Sequence, residues 1–225
     1  MSHPRLAASL PEINRLDFHH AIHKALRLGH CHMLAALGAQ DFNPDTQTHS
    51  LIEKLRELIH FCEVHREAER RHIHQPLEHR KPGTSARSHE RLRSNHQSIA
   101  EIQSLIRALE VAIPTRRPIA GMVLYQRYAL FAATDIERMH EDESELLVAL
   151  QAAFTEEELS EIEDSIISAF DSAQMALIMA LMIPALNGIE RAGMLTKLQA
   201  AMPVTSAIDE ARHAVSQPPT SCTHL

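Results

Sequence analysis

One stretch of this chain carries a helical stripe that changes from core-filling to ion-binding chemistry without changing its spacing. Leu51, Leu55, Leu58 and Cys62 step by four and three, so they line one face of a helix. The same spacing then lands on His65, Glu69 and His72. His65 and Glu69 are four apart and stack on the inward face. A buried carboxylate is costly unless it is paired, hydrogen-bonded or bound to a metal, and neutral imidazole is the commonest protein metal ligand. Other helices must therefore cover this one and bring it partners. The plainer alternative is that the helix surfaces here, since Glu67, Arg70 and Arg71 form a solvated face.

Helix is also what the composition favours. Among 225 residues there are six glycines and no tryptophan, with Leu, Ala, Glu and Arg abundant and no useful alternating strand pattern. A formal charge of -7, with both signs interspersed, leaves no basic patch for nucleic acid or an anionic membrane surface. Neither partner is expected. The strong anomaly is seventeen histidines, nearly all before Glu141. Cys31, Cys62 and Cys222 are odd in number and lack CxxC spacing, which suits a reducing compartment. No signal peptide is evident at the N-terminus, and the apolar run from Met175 to Leu186 is too short to span a bilayer. A soluble, cytoplasmic protein is the expectation.

Pro11, with Ser9 as a cap, begins a helix expected to reach Gly38, whose stripe contains Leu16, His20, His23, Arg27, His30, Leu34 and Leu37. The second helix is expected from Asp45 to Glu78, closed by Lys81-Pro82-Gly83. The third runs from Thr84 to Ile113, with His89, Leu92, His96, Ile99, Ile102, Ile106 and Leu109 inward. The fourth runs from Arg117-Pro118 to Phe154 and carries two competing stripes. One holds Tyr128, Phe131, Asp135, Arg138 and Asp142; the other holds Ile136, His140, Glu143, Leu147, Leu150 and Phe154. Periodicity alone does not choose between them. Short connections make neighbours antiparallel, so the expected fold is all-α: an up-down-up-down four-helix bundle over residues 11-154.

The capping box Thr155-Glu-Glu-Glu158 then opens a different region. Residues 155-216 read as additional C-terminal helices near Glu156 to Phe170, Ala173 to Leu186, Ile189 to Met202 and Ser206 to Val215. They are expected to pack on the bundle or on a second subunit, as in a homodimer. The last residues, 217-225, read as a disordered tail.

Taken together, IHKALR, HREAERRHIHQPLEHRKPG, a histidine-bearing third helix and YALFAATDIERMHEDESELLVAL resemble the hemerythrin-like (HHE cation-binding) family. The likeness covers roughly Phe18 to Leu159, and the Met175 region resembles the helical extension of a bacterial subgroup. It implies a pair of iron ions held by a histidine from each helix and carboxylates from the second and fourth, binding oxygen or serving iron, redox or nitrogen-oxide storage and sensing. Position by position, it implies metal ligation by His23, His65 and Glu69, by Asp142, and, from flanking positions, by His96 and His140. This chain departs from the pattern twice, with Arg138 and Leu92 where the family has histidines. Arginine is not deprotonated at ordinary pH and cannot ligate iron.

Two functions follow as expectations. The first is a non-haem metal-binding bundle, with iron the default and zinc or manganese compatible with the same donors. O2 or NO would be its small-molecule partners. The second is a degenerate bundle without a dinuclear centre, acting as a structural or interaction protein, with Arg138 pairing Glu69 or Asp142. An enzyme is not expected, since GxSxG, HExxH, P-loop and dinucleotide glycine patterns are absent. Of the other histidines, His19, His32, His49 and His60 are expected to be partly exposed, His72, His74 and His79 to sit at a helix C-terminal pole, and His74 to be a candidate companion of His140.

Overall fold

A computed structural model describes residues 16-84 and 86-201 of the chain. Over these residues the fold is all-α, with no strand among them. Helix α1 spans His20–Gly38 and α2 spans Thr46–Glu69. Helix α2 passes without a break through a π-helical turn, Arg70–His74, into α3, Gln75–Arg80. Helix α4 spans Ala86–Val111, and α5 spans Arg117–Glu141. A second π-helical turn, Asp142–Leu146, joins α5 to α6, Leu147–Ala153. Helices α7 (Glu156–Ser168), α8 (Ser172–Ala185) and α9 (Gly188–Ala201) follow.

The starts of these helices have local causes. Asp45 accepts the Thr48 N–H ahead of α2, and Thr155 with Glu158 forms the expected capping box ahead of α7. Asp171 and Gln174 do the same for α8. The first helix starts later than the sequence suggests, because Asp17 Oδ1 accepts the N–H groups of His19 (2.9 Å) and His20 (3.2 Å). Leu16 to His19 are therefore non-helical. Ser9, Pro11, the Ser206 to Val215 helix and the tail lie outside the described residues, as do the side chains of His89 and Leu92.

Helix α1 packs on α2, α5 and α8, and α4 packs on α5. Their shared core includes Leu26, Leu37, Leu55, Ile59, Ile102, Ile106, Leu109, Leu124 and Tyr128, all fully buried. Each such side chain contributes about 1.5–3 kcal/mol by leaving water. A smaller cluster of Ile73, Leu77, Leu150 and Leu159 joins α3, α6 and α7 beyond the π turns. Helix α8 packs on α1, and α7 packs on the π turn that follows α2. Glu190 of α9 reinforces this by pairing with His20 (2.8 Å) and Lys24 (2.6 Å) on α1. Among the described residues no helix is long and apolar enough to cross a membrane.

The π turns decide what faces the interior. A π turn holds extra residue within one turn, so side chains beyond it change face. After Glu69 the buried positions become Ile73, His74 and Leu77, and His72 leaves the stripe to bond Ser165 (2.8 Å). In α5 the two competing stripes succeed one another. Tyr128, Phe131, Asp135 and Asp142 are buried before or at the π turn, and Leu147 and Leu150 after it.

Candidate metal centre

Glu69 ends α2 at the point where α1 and α5 lie against it, and three imidazoles close on one of its oxygens. Oε1 stands 3.1 Å from His65 Nε2, 3.4 Å from His23 Nε2 and 3.7 Å from His19 Nε2. His23, His65 and Glu69 are all buried, and their ligand atoms lie within 4.8 Å of one another, close enough to hold a metal ion. His19 stands beside this trio with its ring stacked on that of His23, centroids 5.0 Å apart. The His23 and His65 rings meet edge to face at 5.2 Å.

The partners of these groups divide them into a held half and an open half. His23 is held: Nδ1 is 3.1 Å from Glu143 Oε1, and Arg27 grips Glu143 with two bonds of 2.7 Å. A carboxylate only accepts, so Nδ1 carries a proton and donates it to Glu143. This leaves Nε2 as the ligating atom, the arrangement by which outer carboxylates orient metal-bound histidines. His65 Nε2 and both ring nitrogens of His19 make no hydrogen bond among the described residues. Unmet buried polar atoms are costly, about 1–3 kcal/mol each. Such a convergence is compatible with a metal ion.

Electrostatics around Glu69 agree with that division. Burial would raise the Glu69 carboxyl, but the Arg138 guanidinium, the adjacent His65 and the His23 bond overturn this and hold it well below the usual carboxylate range. Burial lowers His65, and burial with the neighbouring His23 lowers His19 to about 3, so both stand as neutral imidazoles at neutral pH. His23 moves the other way. Burial opposes its charge, yet the bonds to Glu143 and Glu69 raise it.

Arg138 occupies the far side of the centre. Its Nη1 is 2.8 Å from Glu69 Oε2 and 2.5 Å from Asp142 Oδ2, and its Nε is 3.2 Å from Asp135 Oδ1. Asp142 is thus brought to the site but engaged by a guanidinium. Burial and the nearby Glu69 charge raise the Asp142 carboxyl, against the pull of Arg138. Of the six residues expected to converge, His23, His65 and Glu69 do, and Asp142 is joined to Glu69 only through Arg138. His96 and His140 do not, since both are exposed. Helix α4 contributes its buried ladder from Ile99 onward, beyond His96. His140 precedes the second π turn, which brings Glu143 toward His23 in its place. With His140 outside, it is no companion for the buried His74.

Two participants escaped the sequence reading. His19, expected at the surface, is 1% exposed. Its position four residues before His23 was the available signal, since that spacing shares a helical face. Glu143 lay on one of the two open stripes, with nothing to single it out.

A second buried group, His30, Cys62 and Asp135, also has ligand atoms within 4.8 Å of one another. Its donors are engaged. His30 Nε2 is 3.0 Å from Asp135 Oδ2 and its Nδ1 is 2.9 Å from Tyr128 Oη, while Arg66 and Arg138 both donate to Asp135. Two guanidiniums already neutralise the carboxylate, and burial pushes the Cys62 thiol up, away from thiolate. This cluster is a satisfied polar network that ties α1, α2 and α5 together.

Comparisons with protein-family models, with curated proteins and with solved structures found no match to this chain.

Proposed function

We propose that this chain is a non-haem metal-binding helical protein in which His23, His65 and Glu69 hold one divalent ion. The observation that carries this reading is the approach of imidazole Nε2 atoms to Glu69 Oε1, with His65 Nε2 making no hydrogen bond among the described residues. Two histidines and one carboxylate with open positions suit ferrous iron, and the same donors accept zinc or manganese. Iron held by these three residues would offer a place for a small molecule such as O2 or NO to bind.

The protein's own residues limit the centre to one ion. Arg138 places positive charge between Glu69 and Asp142, where the resemblance to hemerythrin-like proteins would require the second ion. Glu143 fixes the His23 tautomer, and Arg27 fixes Glu143. The role is binding, in iron, oxygen or redox sensing or storage, without a reaction of its own.

Arg138 also supports a second reading, an ion-free bundle in which the guanidinium is the permanent partner of Glu69 and Asp142 and the protein serves a structural role. Metal analysis of untagged protein separates the two. The first reading expects about one ion per chain, lost in His65→Ala and in Glu69→Gln. Metal-free protein that takes up neither iron, zinc nor manganese on titration overturns it in favour of the second.

A further inference from the structure

His19 stands immediately before α1 with its backbone fixed and its ring unpartnered among the described residues. Asp17 Oδ1 accepts its N–H at 2.9 Å, and its carbonyl accepts the His23 N–H at 2.9 Å. It thus lies four residues before His23, the spacing that brings two side chains to one helical face. The ring is buried and stacked on that of His23, with centroids 5.0 Å apart. A side chain serving only to fill this space would be apolar, because a polar atom buried without a partner is destabilising.

The neighbour of the ring supplies a use for it. His19 Nε2 is 3.7 Å from Glu69 Oε1, the same oxygen that His65 Nε2 approaches at 3.1 Å and His23 Nε2 at 3.4 Å. Donors bonded at about 2.0–2.1 Å to one tetrahedral ion stand about 3.3–3.4 Å from each other. The three separations from Glu69 bracket that value. His19 falls outside the set whose ligand atoms all lie within 4.8 Å of one another, so its ring must swing inward to reach a shared ion. With no hydrogen bond to a described residue on either nitrogen, the swing breaks none of that kind.

We propose that His19 is a fourth protein ligand of the ion held by His23, His65 and Glu69, which makes the centre three imidazoles and one carboxylate. This rests on the metal-binding reading above and adds to it a preference among ions. A third imidazole fills one of the open positions and favours zinc or ferrous iron, which take nitrogen donors readily, over manganese, which suits oxygen donors.

The full chain, freed of metal by a chelator, tests it by titration with zinc and with manganese, each in competition with an indicator. Zinc binds the unaltered chain at about one per chain and is lost in His65→Ala. His19→Leu, which keeps the bulk and removes both nitrogens, lowers zinc affinity by about hundredfold or more, since even the outer partners of a ligand are worth about 10–100-fold. Manganese affinity falls less, so the preference for zinc narrows. Metal-free His19→Leu melts at or above the temperature of the unaltered chain, whereas losing a residue that served only packing would lower the melting temperature and leave zinc affinity unchanged. Cobalt(II) gives a count that needs no substitution and serves should His19→Leu not fold. The proton magnetic resonance spectrum of the cobalt-loaded unaltered chain shows one strongly shifted, exchangeable ring N–H for each ligating histidine, from His19, His23 and His65 alike. Signals from only two of them overturn the proposal, as does zinc affinity in His19→Leu equal to that of the unaltered chain. In either case the loss of zinc in His65→Ala leaves the three-residue centre standing, whereas an unaltered chain that takes up no ion ends both readings.

Discussion

Arg138 Nη1 lies 2.8 Å from Glu69 Oε2, the carboxylate oxygen opposite the one that the imidazoles face. Glu69 thereby meets a fixed cation on one side and a set of neutral or exchangeable donors on the other. The same guanidinium bridges to Asp142, so one side chain compensates two buried carboxylates.

Removing that guanidinium should therefore be costly. Arg138→Met leaves Glu69 and Asp142 facing each other without a counter-charge, and breaking a buried pair from one side costs about 3–5 kcal/mol. The urea midpoint of the metal-free protein should fall accordingly. Added zinc should recover part of the loss, because an ion can neutralise the exposed carboxylates. An unchanged midpoint would mean that Arg138 is not the compensating charge.

Glu143 should act on the ion without touching it. Glu143→Gln keeps the shape but offers Nδ1 of His23 a weaker, uncharged acceptor, and it releases Arg27. Loss of such an outer carboxylate typically lowers metal affinity by about 10–100-fold. The measurement is a competition titration with a zinc indicator, with the melting curve of the variant recorded alongside. Equal affinity in variant and unaltered chain would remove Glu143 from the centre.

The sequence made His23 legible on the stripe of α1, and it made His65 and Glu69 legible in the same way: the α-helical period that places Leu55, Leu58 and Cys62 in the core runs unbroken to Glu69. It stops being a guide at the next residue, where the π turn begins. His72 was expected on the stripe and Ile73 took its place. The fourth helix poses the same problem in reverse. Its two stripes looked like alternatives because a straight helix can bury only one, yet the turn at Asp142–Leu146 lets each be buried in succession. Helix lengths and caps, which depend on local chemistry such as Asp45 and Thr155, were readable. The inward reach of His19 follows from its four-residue spacing to His23 and from the Asp17 contact just ahead of α1, of which periodicity registers only the first.

Elsewhere in the fold, Gly121 is demanded by a close approach. A Cβ at this position would run into the ring of Phe42, whose backbone sits at a φ of 58°, in the left-handed region. Phe42 is buried and its carbonyl accepts from Arg117 Nε at 2.8 Å, so the loop cannot retreat easily. Gly121→Ala should destabilise by about 2–3 kcal/mol through overpacking. For a chain of this size that is a fall in Tm of about 2–4 °C per kcal/mol, read by thermal melting.

Proton release should accompany metal binding, and the residue responsible is His23. Bonds to Glu143 and Glu69 favour its charged form, so in the metal-free protein its folded pKa lies above the ordinary value of 6.5. The stability it contributes is present below that value and is lost as pH rises through the folded pKa. An ion must displace the proton on Nε2 while the one on Nδ1 stays with Glu143. His65 adds no such requirement, since burial already keeps it neutral. Metal affinity should consequently rise by about tenfold per pH unit while His23 remains protonated, and level off above its folded pKa. Calorimetry in two buffers of different ionisation enthalpy, at pH 6.5, should report release of roughly half to one proton per ion. His19 works in the opposite sense on stability: its folded pKa of about 3 lies below 6.5, so the metal-free protein loses stability as pH falls from 6.5 toward 3. Binding without proton release at pH 6.5 would show that His23 Nε2 is not where the ion is held.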